Sequence, residues 1–316
     1  MIGVVGAGAF GTALAVALSR KGPVRLWARD EAVLAAVAKS GSLPRLPGIA
    51  LPPDVHLTAG TADLADCETL LLAVPMQRLA GLLPGLADLA PAHVVAACKG
   101  IDLATLRGPT AVIAAAMPRA IPAILSGPSF ASDIARGLPT ALSLGCREAD
   151  AGVLLQSALS TPTLRLYRTT DTTGVELGGA LKNVIAIACG AVIGAGLGES
   201  ARAALMTRGM AEIMRLAGVM GADRETLMGL SGLGDLALTC ASPASRNFAL
   251  GLALGQGRPA PDATTEGVAT AQAALAVARA HDIDLPITQV TAALVAGDLT
   301  VKDAMTALLT RTLTTE

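Results

Sequence analysis

Over the first 170 residues, short runs rich in Val, Ile and Leu alternate with longer stretches whose apolar positions recur at three- and four-residue spacing. The short runs predict strands at 2–5, 24–27, 55–57, 69–74, 94–97, 124–125, 141–144 and 164–167. The longer ones predict helices at 11–20, 31–40, 78–86 and 109–117. Strands alternating with helices give βαβ units and a mostly parallel sheet, and such sheets bind ligands beyond the carboxyl ends of their strands. After residue 170 the strand pattern stops. Helical periodicity continues at 175–196, 202–218, 224–229, 246–254, 269–281, 286–296 and 301–310. The pattern therefore divides the chain into an α/β domain, 1–170, and an all-α domain, 171–316.

Composition sharpens this division. A length of 316 residues fits two domains. Hydrophobic residues make up 52% and mean hydropathy is +0.58, which raises the question of a membrane span. The charge-free run 183–198 holds four glycines and is shorter than the about 17–25 residues a span needs, so it predicts a buried helix. Met1 leads straight into the first strand, which leaves no room for a signal peptide, and the expectation is a cytoplasmic protein without membrane insertion. Aromatics are only 2%, so the apolar excess lies in small and aliphatic side chains. These favour close-packed helices and a broad apolar surface, for which a homodimer is the expected cover. A formal net charge of −1 argues against nucleic acid or an anionic membrane as partner. Cys67, Cys98, Cys146, Cys189 and Cys240 never form C-x-x-C, and His56, His93 and His281 stand apart, so no metal site is expected.

The first strand runs into Gly6-Ala7-Gly8-Ala9-Phe10-Gly11, a G-x-G-x-x-G that opens a helix. Gly6 permits a tight turn, Gly8 a close backbone approach to a pyrophosphate, and Gly11 tight packing of helix on strand. That placement points to a Rossmann-type dinucleotide-binding domain; a glycine-rich turn of another α/β protein is the alternative. Where an NAD-selective fold carries an acid after its second strand, the sequence reads Trp27-Ala28-Arg29-Asp30. Arg29 fits a 2′-phosphate and favours NADP, with NAD tolerated. Its alternative is a solvated surface arginine, with Asp30 capping the next helix.

Of five lysines, two stand out. Lys99 follows the strand 94–97 and precedes Gly100. Lys182 interrupts an apolar helix, where an ammonium needs a partner or a cleft. Such a lysine can serve as a general acid or base; the alternative is a stem that snorkels while its head stays wet. Asp235, in the glycine-rich stretch 229–236, is a natural partner, and Thr239 lies one helical turn further on. Ser245 reads as an N-cap, with Arg246 and Asn247 in the first turn, a combination suited to a phosphate. The turn Ser126-Gly127-Pro128-Ser129-Phe130-Ala131 offers small residues for close ligand contact.

In order along the chain, the segments GAGAFGTALA, VP, KGI, SGPSFA, GGALKNVIAIA, AALMTRG, GLSGLGDLALTC, SRN and TEG resemble the bacterial soluble NAD(P)-dependent glycerol-3-phosphate dehydrogenase family over essentially the whole length. The resemblance implies interconversion of dihydroxyacetone phosphate and sn-glycerol 3-phosphate for phospholipid synthesis. It implies that Lys182 is the proton donor and acceptor and that Lys99, Gly127, Ser129, Asp235, Ser245, Arg246 and Asn247 contact glycerol phosphate. It implies cofactor contacts at Ala9, Phe10, Arg29, Ala131, Thr264 and Glu266, with Lys99 and Arg246 touching both ligands. Two departures stand out: Ser200 replaces a common asparagine, and the segment from Met76 and Gln77 to Ala80 is unusual. A β-hydroxyacid dehydrogenase and a non-catalytic dinucleotide sensor are the competing readings. The Ser245-Arg246-Asn247 phosphate site argues against the first and the Lys182 and Asp235 pair against the second.

Overall fold

The computed structural model describes residues 1–42, 46–261 and 265–310. The chain forms two compact units, one of residues 1–99 and 107–176, the other of residues 100–106 and 177–316. Contacts thus place the crossing at 176/177 and lend the short segment 100–106 to the second unit.

The first unit is an α/β fold. Its elements are β1 (Ile2–Val5), α1 (Ala9–Leu18), β2 (Val24–Trp27), α2 (Glu31–Ser40), β3 (Val55–Thr58), β4 (Thr69–Leu72), α3 (Met76–Leu82), β5 (His93–Ala96), α4 (Pro109–Ala116), β6 (Ile121–Ser126), α5 (Ala131–Arg136), β7 (Thr140–Cys146), α6 (Ala149–Leu159) and β8 (Leu164–Thr169). The sheet order is β3-β2-β1-β4-β5-β6-β7-β8. All pairings are parallel except β6 with β7, where Leu125 faces Leu144 in antiparallel register. Every residue of β4 is buried, as expected of a strand covered on both faces. Strand order reverses at β1 and β4, so the carboxyl ends of these strands open the crevice where such sheets take ligands.

Two helices of this unit escape the sequence pattern. The six residues of α5 are too few to show a period, and the buried face of α6 includes Gly152, which carries no hydrophobic signal. The helix expected at 78–86 breaks earlier. It ends at Leu82, and a 3₁₀ stretch, Leu83–Leu89, follows, because Pro84 has no N–H with which to continue the α-helical ladder.

The second unit is helical: α7 (Thr172–Gly194, whose first residues belong to the first unit), α8 (Glu199–Val219), α9 (Arg224–Met228), a π-turn (Leu230–Gly234), α10 (Asp235–Cys240), α11 (Arg246–Gly255), α12 (Glu266–Ala280), α13 (Pro286–Ala296) and α14 (Val301–Leu309). By length and composition α7 could cross a membrane, yet 83% of its apolar window is buried inside the protein. Its packing against α11 explains why. A Cβ at Gly190 would collide with Phe248 O, one at Gly194 with Leu252 O, one at Gly251 with Ile187 O and one at Gly255 with Ala191 O. Two pairs of glycines spaced four residues apart thus let the two backbones touch.

Two helices that begin with proline receive their caps from elsewhere. Leu285 offers α13 no side-chain cap, and Glu212 of α8 accepts hydrogen bonds from Ile287 N at 2.5 Å, Thr288 N at 3.1 Å and Thr288 Oγ1 at 2.9 Å. Gly108 likewise cannot cap α4, and Glu176 accepts from Thr110 N at 2.7 Å. These carboxylates satisfy first-turn amides that proline at the first position leaves exposed to the interior.

Gly251→Ala should lower the unfolding free energy by about 1–3 kcal/mol, since overpacking has no flexible side chain to displace here. Gly218→Ala on α8, where a Cβ meets open space, should raise it by up to about 1 kcal/mol. Urea melts of both variants check the contrast. Burial pushes the Glu212 carboxyl above its ordinary value of 4.5, against the pull of its three hydrogen bonds. The folded state therefore takes up this proton first. That contribution to stability is fully present below pH 4.5 and is lost as pH rises through the raised folded value. Urea melts from pH 4 upward should show a flatter dependence in Glu212→Gln than in the wild type.

Candidate active site

In the first unit, Gly6 follows β1 with φ +116°, and a Cβ there would lie 2.6 Å from Ala73 O. A side chain at Gly11 would collide with Gly6 O, so α1 rests directly on the turn. Gly8 is different. It is the N-cap of α1, makes no side-chain cap, and a Cβ built on it meets nothing within 4 Å. Nothing in the chain itself therefore demands glycine at position 8, and the open space lies directly over the helix start. No acid occupies the first turn of α1, where Ala9 and Phe10 are half-buried. An uncapped helix start with open space above it fits the pyrophosphate of a dinucleotide.

At the end of β2, Trp27 Nε1 donates to Ala59 O at 2.9 Å and Ala28 is buried. Asp30 caps α2 by accepting from Ala32 N at 2.9 Å, which engages its carboxylate locally. Arg29, between them, is exposed at the carboxyl edge of the sheet. At the end of β6, Gly127 adopts φ +151° and its carbonyl accepts from Lys99 Nζ at 3.4 Å and Ser129 Oγ at 3.2 Å. Lys99, Gly127 and Ser129 are thus brought together, and Ala131 starts α5 two residues on. Thr264 lies outside the described residues.

In the second unit, Lys182 Nζ donates to Asp235 Oδ1 at 2.6 Å and to Thr239 Oγ1 at 2.6 Å. Thr239 Oγ1 in turn donates to Asp235 Oδ1 at 3.3 Å, closing a triangle. The three residues are 7%, 0% and 3% exposed. A buried ion pair must compensate the loss of water with short, direct hydrogen bonds, and this one has them. Cys240, next to Thr239, has its thiol pushed up by a hydrogen bond with Cys189 and by burial, so it stays protonated.

The start of α11 forms a second polar cluster. Ser245 caps α11 by accepting from Phe248 N at 3.3 Å. Asn247 Nδ2 donates to Asn183 Oδ1 at 2.9 Å, and Asn247 Oδ1 accepts from Gly267 N at 3.0 Å. Arg246 is exposed at the same helix start, and Glu266 is the half-buried first residue of α12. Lys182 and Asn183 are consecutive, so one side holds the ion pair and the other anchors the Arg246–Asn247 turn. The Asn183–Asn247 link spans 64 residues and leaves no local mark in the sequence. Among the described residues no group of three or more His, Cys, Asp or Glu could hold a metal ion.

Two family descriptions match this chain: NAD-dependent glycerol-3-phosphate dehydrogenase N-terminus over residues 1–152, and the corresponding C-terminus over residues 171–306. The chain belongs to the NAD-dependent glycerol-3-phosphate dehydrogenase family. It is 58% identical over 318 residues to a glycerol-3-phosphate dehydrogenase [NAD(P)+] of Cereibacter sphaeroides, covering 100% of both chains. It is 56% identical over 317 residues to the Paracoccus denitrificans protein of the same name, covering 100% of this chain and 99% of the other. A crystal structure of glycerol-3-phosphate dehydrogenase from Coxiella burnetii superposes with a TM-score of 0.93 at 36% identity, covering 98% of each chain.

Arg29→Asp should move cofactor preference from NADPH toward NADH. Loss of a charge-assisted phosphate contact should weaken NADPH binding by about 1.5–3 kcal/mol. Fluorescence titration with both cofactors checks this, and an unchanged ratio means that Arg29 only faces solvent.

Proposed function

We infer that this chain is an NAD(P)+-dependent sn-glycerol-3-phosphate dehydrogenase, interconverting dihydroxyacetone phosphate and sn-glycerol 3-phosphate. Family membership supports the activity, and the Lys182–Asp235–Thr239 triangle carries the chemistry. In this reading the turn Gly6, Gly8 and Gly11 with Ala9 and Phe10 receives the cofactor pyrophosphate. Arg29 takes a 2′-phosphate, so NADP is favoured and NAD accepted. Ala131, Thr264 and Glu266 complete the cofactor contacts, and Lys99 and Arg246 meet both ligands.

The substrate's phosphate dianion binds at the start of α11, where Arg246, Asn247 and the helix dipole oppose its charge. Ser245 holds that start in place, and Lys99, Gly127 and Ser129 contact the rest of the molecule. Bound nicotinamide supplies the hydride for the carbonyl carbon, or accepts it in the reverse direction. Lys182 Nζ supplies the proton: it gives one to the carbonyl oxygen during reduction and takes one from the hydroxyl during oxidation. The Asp235 carboxylate favours the ammonium form, and two of the three N–H bonds of Nζ go to Asp235 and Thr239, which fixes its direction. Fixing reactants and proton donor in register supplies much of the rate.

The reading extends to a cytoplasmic homodimer without nucleic-acid or membrane partners. Exposed Val153 and Leu154 on α6 offer apolar surface for such a contact. Steady-state kinetics with NADPH and NADH, against dihydroxyacetone phosphate and a panel of small β-hydroxyacids, test the whole reading. Turnover of a hydroxyacid without turnover of the phosphate would favour the hydroxyacid dehydrogenase alternative.

Lys182→Ala should cut turnover by about 10²–10⁴ and leave NADPH affinity within about twofold of wild type. Single-turnover kinetics, fluorescence titration and thermal melting on one preparation separate this outcome from a structural role. A merely structural lysine would lower the melting temperature and spare turnover.

A further inference from the structure

Between α9 and α10 the chain winds into one π-turn, Leu230–Gly234, with Gly234 N bonded to Gly229 O five residues back at 3.1 Å. Asp235 is the next residue. The turn sits on α7: a Cβ at Gly178 would lie 2.8 Å from Ser231 O and 3.0 Å from Gly232 Cα. Gly178 precedes Lys182 by one helical turn. On its other side the turn is pressed against α9, since a Cβ at Gly232 would collide with Leu227 O. The Ser231 hydroxyl is fully buried and has no hydrogen-bond partner among the described residues. A wide turn has weaker geometry than an α-helix, and a buried orphan hydroxyl adds a desolvation cost. Such a turn persists where the surrounding structure uses the register it sets.

We infer that this π-turn, seated on Gly178, is the positioning element that holds Asp235 and Thr239 against Lys182. One residue more than an α-helical turn rotates everything downstream by about 100°. That rotation brings Asp235 and Thr239, one turn apart on α10, onto the same amine. Gly178 sets the depth: a side chain there meets backbone that cannot swing aside, so the turn lifts and Asp235 withdraws. The kinetic part of the inference rests on Lys182 as the proton-carrying group; the positioning itself does not.

The test compares Gly178→Ala with the wild type and with Gly218→Ala, whose Cβ meets open space. Lys182 in the ligand-free protein is acylated briefly with acetic anhydride and its modification followed by peptide mass spectrometry. In Gly178→Ala, acylation of Lys182 should be about tenfold faster and kcat about 10²-fold lower, the usual consequence of a misplacement near 1 Å. KM for dihydroxyacetone phosphate and Kd for NADPH should stay within about threefold, because neither the Arg246 turn nor the Gly6 turn has moved. Gly218→Ala should match the wild type in acylation rate, kcat, KM and Kd. Wild-type acylation and kcat in folded Gly178→Ala would overturn the inference, as would equal losses in kcat, NADPH affinity and melting temperature. Faster acylation with unchanged kcat supports the positioning and overturns the assignment of proton transfer to Lys182. If Gly178→Ala does not fold, hydrogen exchange on the wild type decides. The amides of Gly234 and Asp235 should exchange as slowly as those of buried α7, and exchange as fast as at Gly257 overturns the inference.

Discussion

An ammonium group among apolar side chains is tolerable only with an anion at hydrogen-bond distance, and the second unit is organised around delivering one. Leu181, Val184 and Ile185 flank Lys182 and are buried, so α7 cannot turn that side chain outward. The anion arrives from a short helix, α10, which anchors in the core through buried Leu236 and Cys240. The π-turn before it is seated by backbone contact, through Gly178 on one side and Gly232 on the other. Neighbouring Asn183 repeats the logic with a neutral link to Asn247, which fixes the start of α11.

Small residues serve as geometric stops throughout. Side-chain packing tolerates rotamer adjustment, whereas backbone against backbone does not. The α7–α11 contact uses four glycines as such stops, and the first unit uses Gly6 and Gly11 in the same manner.

Much of the architecture is legible in the sequence where local signals are strong. The strand at 2–5, the strand at 24–27, the helix at 31–40 and the proline-started helix at 286–296 appear at the expected bounds. The α/β fold followed by helices is likewise what the alternation of periods predicts. Harder features depend on distant partners. The antiparallel turn of β7 onto β6, the six-residue α5 and the π-turn before Asp235 have no periodic signature. Of the candidate site, Lys182 announces itself as a charge on an apolar helix and Asp235 as an acid among glycines, and they lie 2.6 Å apart. The Asn183–Asn247 pair and the remote caps from Glu176 and Glu212 stay hidden, because each joins residues far apart in sequence.

The single tryptophan of the chain gives the first unit an optical property that nothing else in it shares. Trp27 closes β2, is nearly buried, and has its indole N–H tied to Ala59 O. Its ring is therefore held rigidly two residues before Arg29, at the carboxyl edge of the sheet. Emission excited beyond the absorption of Tyr167 reports one known location, without the averaging that several indoles impose. Any molecule seated at that edge and absorbing in the near ultraviolet quenches a single, well-placed donor, so occupancy can be followed with the unaltered chain.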